Sequence, residues 1–304
     1  MQFGSKRPSI IWAWHGDVSI DNLTLYGNGK GEGININWAD AKVLNSRFYN
    51  TPDAIEFINV QGGEISNNLV LNSPDDAIDL NACSDVLIQN NTLVNCADKG
   101  ISIGAEQYGK SSNIKVKYNY ILGNKIGVSV KDSADVYSQY NTYAYNSLAF
   151  EAYKKNEKYN LGGAIYTVND ALCENQTFQK IDNFSSFSST SLSDSCKVIK
   201  LNGTYIIPQE LYYEIVDETL VLENHSLLEM NLKGAKLIVD DVYEISLNSL
   251  SAIAVNEQTY IYKNKPKNRK YLNYCIDKGS PVNEKSRLSL KVNDQVIKLK
   301  SSTK

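Results

Sequence analysis

The sequence predicts an all-β chain: a solenoid of stacked coils followed by a small C-terminal β-rich appendage. Three observations carry that expectation. A Gly/Ala-hydrophobic-polar-hydrophobic motif recurs as Gly33-Ile34-Asn35-Ile36, Ala54-Ile55-Glu56-Phe57, Ala77-Ile78-Asp79-Leu80, Gly100-Ile101-Ser102-Ile103, Gly127-Val128-Ser129-Val130 and Ala149-Phe150-Glu151-Ala152, with 21 to 27 residues between copies. A second motif fills each half-repeat: Val18-x-Ile20-x-Asn22, Val43-x-Asn45, Ile65-x-Asn67, Ile88-x-Asn90 and Val116-x-Tyr118. The composition is that of a mainly β chain, 42% hydrophobic and 21% charged, with 20 tyrosines in 304 residues.

A recurrence of this length marks units that bury their apolar faces only by stacking on one another. Leucine-rich repeats have a similar period, but they need a Leu-rich consensus where this chain has Ile, Val and Asn. A sandwich of hairpins would not hold one phase over six copies. Stacked coils must hold it, because equivalent residues become neighbours about 4.8 Å apart in parallel strands.

Taken in order, coils are expected from about residue 16 to 166, with Ile34, Ile55, Ile78, Ile101 and Val128 stacked inside. The columns Asn22, Asn45, Asn67, Asn90 and Asn28, Asn50, Asn72, Asn95 read as turn ladders, since Asn tolerates left-handed backbone and its amide pairs with the amides above and below. Tyr159–Tyr166 reads as the last coil, so the expected division is a solenoid over 1–166, a Ser-rich linker over 167–195 and a small β-rich domain over 196–304. In that domain 197–201 and 235–239 read as strands, and Leu288–Leu299 as a hairpin turning at Asn293-Asp294. The opening Met1–Pro8 has no apolar core of a signal peptide and meets the repeats without an amphipathic cap. A preceding segment or a partner covering that end is therefore expected.

Several functions are excluded or disfavoured. No run of about 18 apolar residues offers a membrane span. A net charge of −3 leaves no footprint for nucleic acid. Five cysteines without a C-x-x-C pair or accompanying histidines disfavour zinc. Cys83 and Cys96 read as small buried hydrophobes, while Cys173 and Cys196 bracket a loop that an oxidising compartment would close. His15 and His225 stand isolated.

Chemistry is expected where acids break the Asn/Ser pattern. The outward column of the first motif runs Asn35, Glu56, Asp79, Ser102, Ser129, Glu151, and the residues just before the Gly/Ala run Glu32, Asp53, Asp76, Lys99. Asp53, Glu56, Asp75, Asp76 and Asp79 thus crowd two adjacent coils. At about 4.8 Å each like-charge pair costs about 1 kcal/mol in water and about 3 to 4 kcal/mol near a protein surface. Three neutralisers remain open: Ca²⁺ held by Asp53, Asp75, Asp76 and Asp79, the neighbouring Lys99, or hydration of an acidic face.

These repeats resemble the right-handed parallel β-helix proteins of the pectate-lyase-like superfamily. Asp98-Lys99-Gly100-Ile101-Ser102-Ile103-Gly104 and Gly127-Val128-Ser129-Val130-Lys131-Asp132 are most similar to its uncharacterised surface members. The resemblance implies an extracellular or cell-surface setting and an acidic polysaccharide as partner. Asp53 and Asp75-Asp76-x-x-Asp79 resemble the calcium cluster of family-nine pectate lyases, with Ser102 standing where their catalytic lysine would be and Lys99 or Lys131 left as substitutes. Polygalacturonases carry acids in the same phase, which would make Asp53, Asp75 and Asp76 an acid and base set, although Lys99 and Ser129 replace their histidine and arginine. The expectation is a carbohydrate-directed protein, a lyase or glycoside hydrolase, with Lys99, Asp76 and Asp53 catalytic, Lys131, Glu56 and Tyr153 on the substrate, and calcium as the cofactor. A non-catalytic surface or carbohydrate-binding scaffold is the alternative.

Overall fold

A computed structural model describes residues 8–107 and 109–194, and beyond them the strands between Ile199 and Ser301 together with Arg287. The first unit, Met1–Cys196, is a right-handed parallel solenoid of about 8 turns. Each full coil gives one strand to each of three parallel sheets. Sheet 1 runs from Ser9–Trp14 through Glu32–Asn37, Ile55–Ile58, Ile78–Asn81, Lys99–Glu106, Ile126–Lys131 and Leu148–Tyr153 to Thr177–Ile181. Sheet 2 runs from Asp17–Asp21 to Ser186–Thr190, and sheet 3 from Thr24–Tyr26 to Ala171–Cys173.

The expected register is present. Ile34, Ile55, Ile78, Ile101 and Val128 pair in succession and are each 0% exposed. The small residue opening each motif has a steric cause: a Cβ at Gly33, Gly100 or Gly127 would sit 2.3, 2.8 or 2.6 Å from a carbonyl oxygen of the next coil. Where a repeat is longer, the extra residues leave the coil at its corner. Ala105-Glu106 pair antiparallel with Gly109-Lys110, and Ile114–Lys117 then rejoins sheet 2 in register with Leu87–Gln89.

The Asn columns divide into two jobs. Asn22, Asn45, Asn67 and Asn90 do adopt φ between 53° and 56° or close to it, at 55°, 48°, 56° and 53°, and Tyr118, Tyr140 and Asn169 continue the column. The amide ladder expected of them is made by the next residue, which points inward. Asn68, Asn91, Asn119 and Asn141 are buried. Asn91, Asn119 and Asn141 each accept at Oδ1 from the backbone N–H and the amide of the Asn one coil earlier, at 2.8 to 3.0 Å where Asn91 donates to Asn119, and Asn68 accepts from the Ser46 N–H. Each also donates to a carbonyl of the preceding coil: Val43, Ile65, Ile88 and Val116. In the other column the left-handed positions are Asn50, Asn72 and Asn95, and Asn28 is not among them: the hydrogen-bond register puts Gly27 there, its N–H meeting Tyr49 as Asn50 meets Leu71, without a left-handed φ. Its ladder is the buried Asn124 and Asn146 and the half-buried Asn175.

The solenoid runs further than expected. Thr177–Ile181 pairs with Leu148–Tyr153, and Ser186–Thr190 with Ala164–Val168, so most of the 167–195 stretch read as a linker is a further coil. Serine at alternate positions suits a strand with one wet face, which Ser-rich composition alone does not reveal. The second unit, Lys197–Lys304, contains an eight-stranded sheet and a two-stranded one. Leu288–Val292 pairs antiparallel with Gln295–Ser301, as expected of a hairpin, while the turn at Asn293-Asp294 lies outside the described residues, as do Cys196, Cys275 and His225. Cys83 and Cys96 are free and buried, and Cys173 is disulfide-bonded. Among the described residues no helix is long and apolar enough to cross a membrane.

Asp170 ends the first amide ladder and carries a prediction. Its Oδ1 accepts from the Asn141 N–H and amide at 2.7 and 3.1 Å, but Oδ2, standing where the earlier rungs have a donating nitrogen, is buried with no hydrogen-bond partner. Burial outweighs the hydrogen bonds from Asn141 and raises this carboxyl from 3.8 to about 6. A raised carboxyl pKa costs stability as pH climbs past 3.8, with the full cost above about 6. Asp170→Asn is therefore expected to stabilise the protein by about 1 to 3 kcal/mol at pH 8 and by much less at pH 4. Thermal unfolding at both values checks it, and an equal effect at both would remove the charge from the explanation.

Candidate functional site

The outer face of sheet 1 carries one register column: Trp12, Asn35, Glu56, Asp79, Ser102, Ser129, Glu151, Lys180. This face is not simply wet. Asn35, Glu56, Ser102 and Ser129 are buried, because longer side chains from the coil corners fold over them. Lys131 is the clearest case. Its stem crosses Gly104, where a Cβ would lie 2.4 Å from the lysine Cε, and its Nζ donates to Ser102 Oγ at 3.0 Å.

The acids form two neighbouring groups. Asn35 donates its amide to Glu32 at 3.1 Å and also to Glu56, bridging two buried carboxyls. Burial first, then Asp79, Glu32 and Asp53, push the Glu56 carboxyl up. Alongside, Asp53, Asp75 and Asp76 bring carboxylate oxygens within 4.8 Å of one another. Asp53 is raised from 3.8 to about 8 by burial and then by Asp79, Asp76 and Asp75. Asp76 is raised by burial and Asp79, against the pull of Lys99 and Lys131. Asp79 receives the Asn81 amide on Oδ2 at 2.8 Å, while its buried Oδ1 has no hydrogen-bond partner.

The lysines face these acids. Lys99 donates from its backbone N–H to Asp76 Oδ1 at 2.9 Å and from Nζ to the same oxygen at 3.3 Å, and Nζ also contacts Asp98. Burial alone would lower its pKa, but Asp76 and Asp98 overcome it and hold the amine protonated well above the usual lysine range. Lys131 follows the same rule: burial lowers, Asp79 and Asp76 raise, and the net shift is upward. Beyond Lys99 the face opens into a cleft of about 530 Å³ lined by Asp98, Lys99, Lys125, Glu151, Tyr153 and Lys180 among others.

The expected site residues therefore divide. Asp53, Asp75 and Asp76 converge on one point, and Asp79 lies beside them in the outward column rather than among the three whose oxygens meet. Lys99 and Tyr153 line the cleft. Glu56, expected on the substrate, is 7% exposed and bonded to Asn35, so it faces its neighbours instead. Lys99, expected as a base, is doubly ion-paired and holds its proton, which opposes that role. Sequence reasoning missed Lys180, which sits in the stretch read as linker, and Gly104, whose role is visible only once Lys131 is seen to cross it. Lys125 was also missed; it pairs with Asp98 at 3.0 Å across one coil of 27 residues, the offset that separates Gly100 from Gly127.

A family model described as right handed beta helix region matches residues 9–178, more than half of the chain. No curated protein matches. Solved structures that match include ORF18 of Geobacillus virus E2, 10% identical, with 82% of this chain and 67% of that one covered at a TM-score of 0.29. Another is tailspike protein gp49 from Acinetobacter baumannii bacteriophage Fri1, a capsular polysaccharide depolymerase, 11% identical with the same coverage of each chain and a TM-score of 0.23.

Proposed function

The chain belongs to the right handed β-helix region family, and from that premise we propose that the outer face of sheet 1 binds an acidic polysaccharide with the help of calcium. The observation that carries this reading is the meeting of Asp53, Asp75 and Asp76 oxygens within 4.8 Å, next to lysines held charged. Three carboxylates so placed favour a hard cation with oxygen ligands. The orphaned Oδ1 of Asp79, beside them, adds an acceptor that lacks a donor. A linear polymer bearing carboxylates fits a face whose polar columns repeat at each coil: its acid groups complete the cation's oxygen shell and pair with Lys99 and Lys131. Such a cation also relieves the repulsion that raises Asp53.

In the cation-free protein Asp53 keeps its proton up to a pH of about 8, and a bound cation would displace that proton, so Asp53 suits proton donation to a polymer only where it is not a ligand. Lys99 and Lys131 then act as fixed positive charges. The scaffold reading is favoured by one observation, that Lys99 already satisfies Asp76 and Asp98 without any ligand.

The test is calorimetric titration of chelator-treated protein with calcium, followed by a panel of uronate polymers monitored at the absorbance of an unsaturated uronate. Calcium is expected to bind and to raise the melting temperature, and Asp76→Asn to weaken it at least about tenfold, the loss of a charged ligand being worth about 1.4 kcal/mol or more. Absence of heat with any metal or polymer would leave the scaffold reading in place.

A further inference from the structure

The three tryptophans of the chain, Trp12, Trp14 and Trp38, all fall in the first two coils, and all three are exposed, at 59, 42 and 38%. Solvated tryptophan is unusual, because the indole is the largest apolar side chain and normally buries most of its area. Trp12 and Trp14 alternate with Ile11 and Ala13, which pack toward the core, so both indoles stand on the outer face of sheet 1. Their register partners are Asn35 and Asn37. Trp12 is thus in the same column as Glu56 and Asp79, two and three coils away, or about 10 and 14 Å at the spacing of neighbouring parallel strands. A further coil stacked on Ser9–Trp14 would pair with the strand's edge and leave these outward rings uncovered.

The rings are also held. Trp12 and Trp14 meet edge to face at 5.8 Å, and Trp14 stacks on His15 at 5.3 Å. The His15 ring donates to the Trp38 carbonyl at 3.2 Å. His15 and Trp38 occupy turn positions with φ of 63° and 54°, where the next coil has the better suited Asn59. A bulky residue in left-handed backbone carries a cost, and such costs cluster at binding sites.

We propose that Trp12 and Trp14 form a sugar-stacking subsite at one end of the acidic groove, taking the neutral C–H face of a pyranose ring in the polysaccharide whose charged groups engage the acids and lysines. This rests on the function proposed above. The outward residues of the first strand, Ile10, Trp12 and Trp14, carry no charge, and the column turns polar one coil later, so the apolar surface is about one ring wide. That size, and its place in the same outward column as Glu56 and Asp79, fit a sugar in a longer chain better than a protein partner, whose specific interfaces bury about 800 Å² per side.

The one other tryptophan, Trp38, is tied to the pair through His15, so intrinsic indole emission of the full chain reports on this corner of the solenoid, and Trp12→Ala separates the platform's share from that of Trp38. Titration with oligogalacturonate and oligoalginate, and with neutral cellohexaose and maltohexaose, is expected to give a saturable change in emission for at least one of them. Trp12→Ala should weaken that binding about tenfold, while Trp12→Phe stays within about threefold. Trp12 is exposed, and circular dichroism confirms that the variants fold. Binding detected by calorimetry with emission unchanged, and affinity unaltered in Trp12→Ala, would overturn the platform and leave the groove standing. An emission change that persists fully in Asp76→Asn for anionic and neutral sugars alike would support the platform and remove the acidic groove from recognition. No change and no heat with any glycan would overturn both.

Discussion

Asn119→Leu is expected to cost about 4 to 8 kcal/mol, much of the 5 to 15 kcal/mol by which a folded domain is stable. The side chains are similar in volume, so the loss is almost entirely in hydrogen bonds. Asn119 Oδ1 accepts from Asn91 N and Nδ2 at 2.8 and 3.0 Å, and its Nδ2 donates to the Ile88 and Lys117 carbonyls and to Asn141 Oδ1. Leucine removes all five bonds, at about 0.5 to 1.5 kcal/mol each, and leaves the buried Asn91 N–H without its acceptor at about 1 to 3 kcal/mol, while Asn91 Nδ2, the Lys117 carbonyl and Asn141 Oδ1 keep Ile65, the Asn90 N–H and the Asn119 N–H. The exposed turn residue one position earlier in the neighbouring coil, Asn90, supplies the control: Asn90→Ala alters only the preference for left-handed backbone and should cost about 1 kcal/mol. Urea unfolding followed by circular dichroism measures both. Equal effects of the two substitutions would show that the ladder contributes no more than its turns.

The second large effect is expected of Lys131→Met in calcium-free protein. The lysine is 8% exposed and its charge faces Asp79 and Asp76, so methionine keeps most of the stem while leaving the carboxylates uncompensated. At an effective dielectric of about 20 each of these unpaired but nearby charges is worth about 2 to 3 kcal/mol, so the loss should reach about 2 to 5 kcal/mol. The pH dependence has a definite sign. Without the lysine the folded Asp76 carboxyl, already raised, rises further, and a raised carboxyl costs stability only above its unfolded value. The melting temperature should therefore fall most near pH 8 and least near pH 4. A deficit independent of pH would mean that packing over Gly104, rather than charge, is what the lysine contributes.

The fold was legible because its signal is periodic. A strand pair fixes side-chain phase every two residues, and six copies of Gly/Ala-hydrophobic-x-hydrophobic cannot share a phase unless the coils stack. The limits of the solenoid were less legible, since its last coil replaces Ile and Asn by Ser and Thr. The amide ladder was placed one residue early for a related reason: Asn67-Asn68 and Asn90-Asn91 are tandem, and sequence does not say which member turns and which points inward. Of the site, the convergence of Asp53, Asp75 and Asp76 was legible from coil spacing. The burial of Glu56 and the double pairing of Lys99 were not, because both depend on how side chains from separate corners fold over the sheet.

The antiparallel excursion at Ala105–Lys110 bears on how this face changes over evolutionary time. The buried amides set the rise from one coil to the next, but nothing sets the number of residues spent at a corner. Tyr159, in the connection after Tyr153, reaches across to donate to the Glu106 carbonyl at 2.8 Å, so two such corners already support each other beside the cleft. Residues can be added or lost there while Ile114 and Ala164 still return to their columns. Rise is therefore invariant and girth is free. The rim of the groove can be rebuilt, and with it the choice of ligand, at little expense to the stack that carries it.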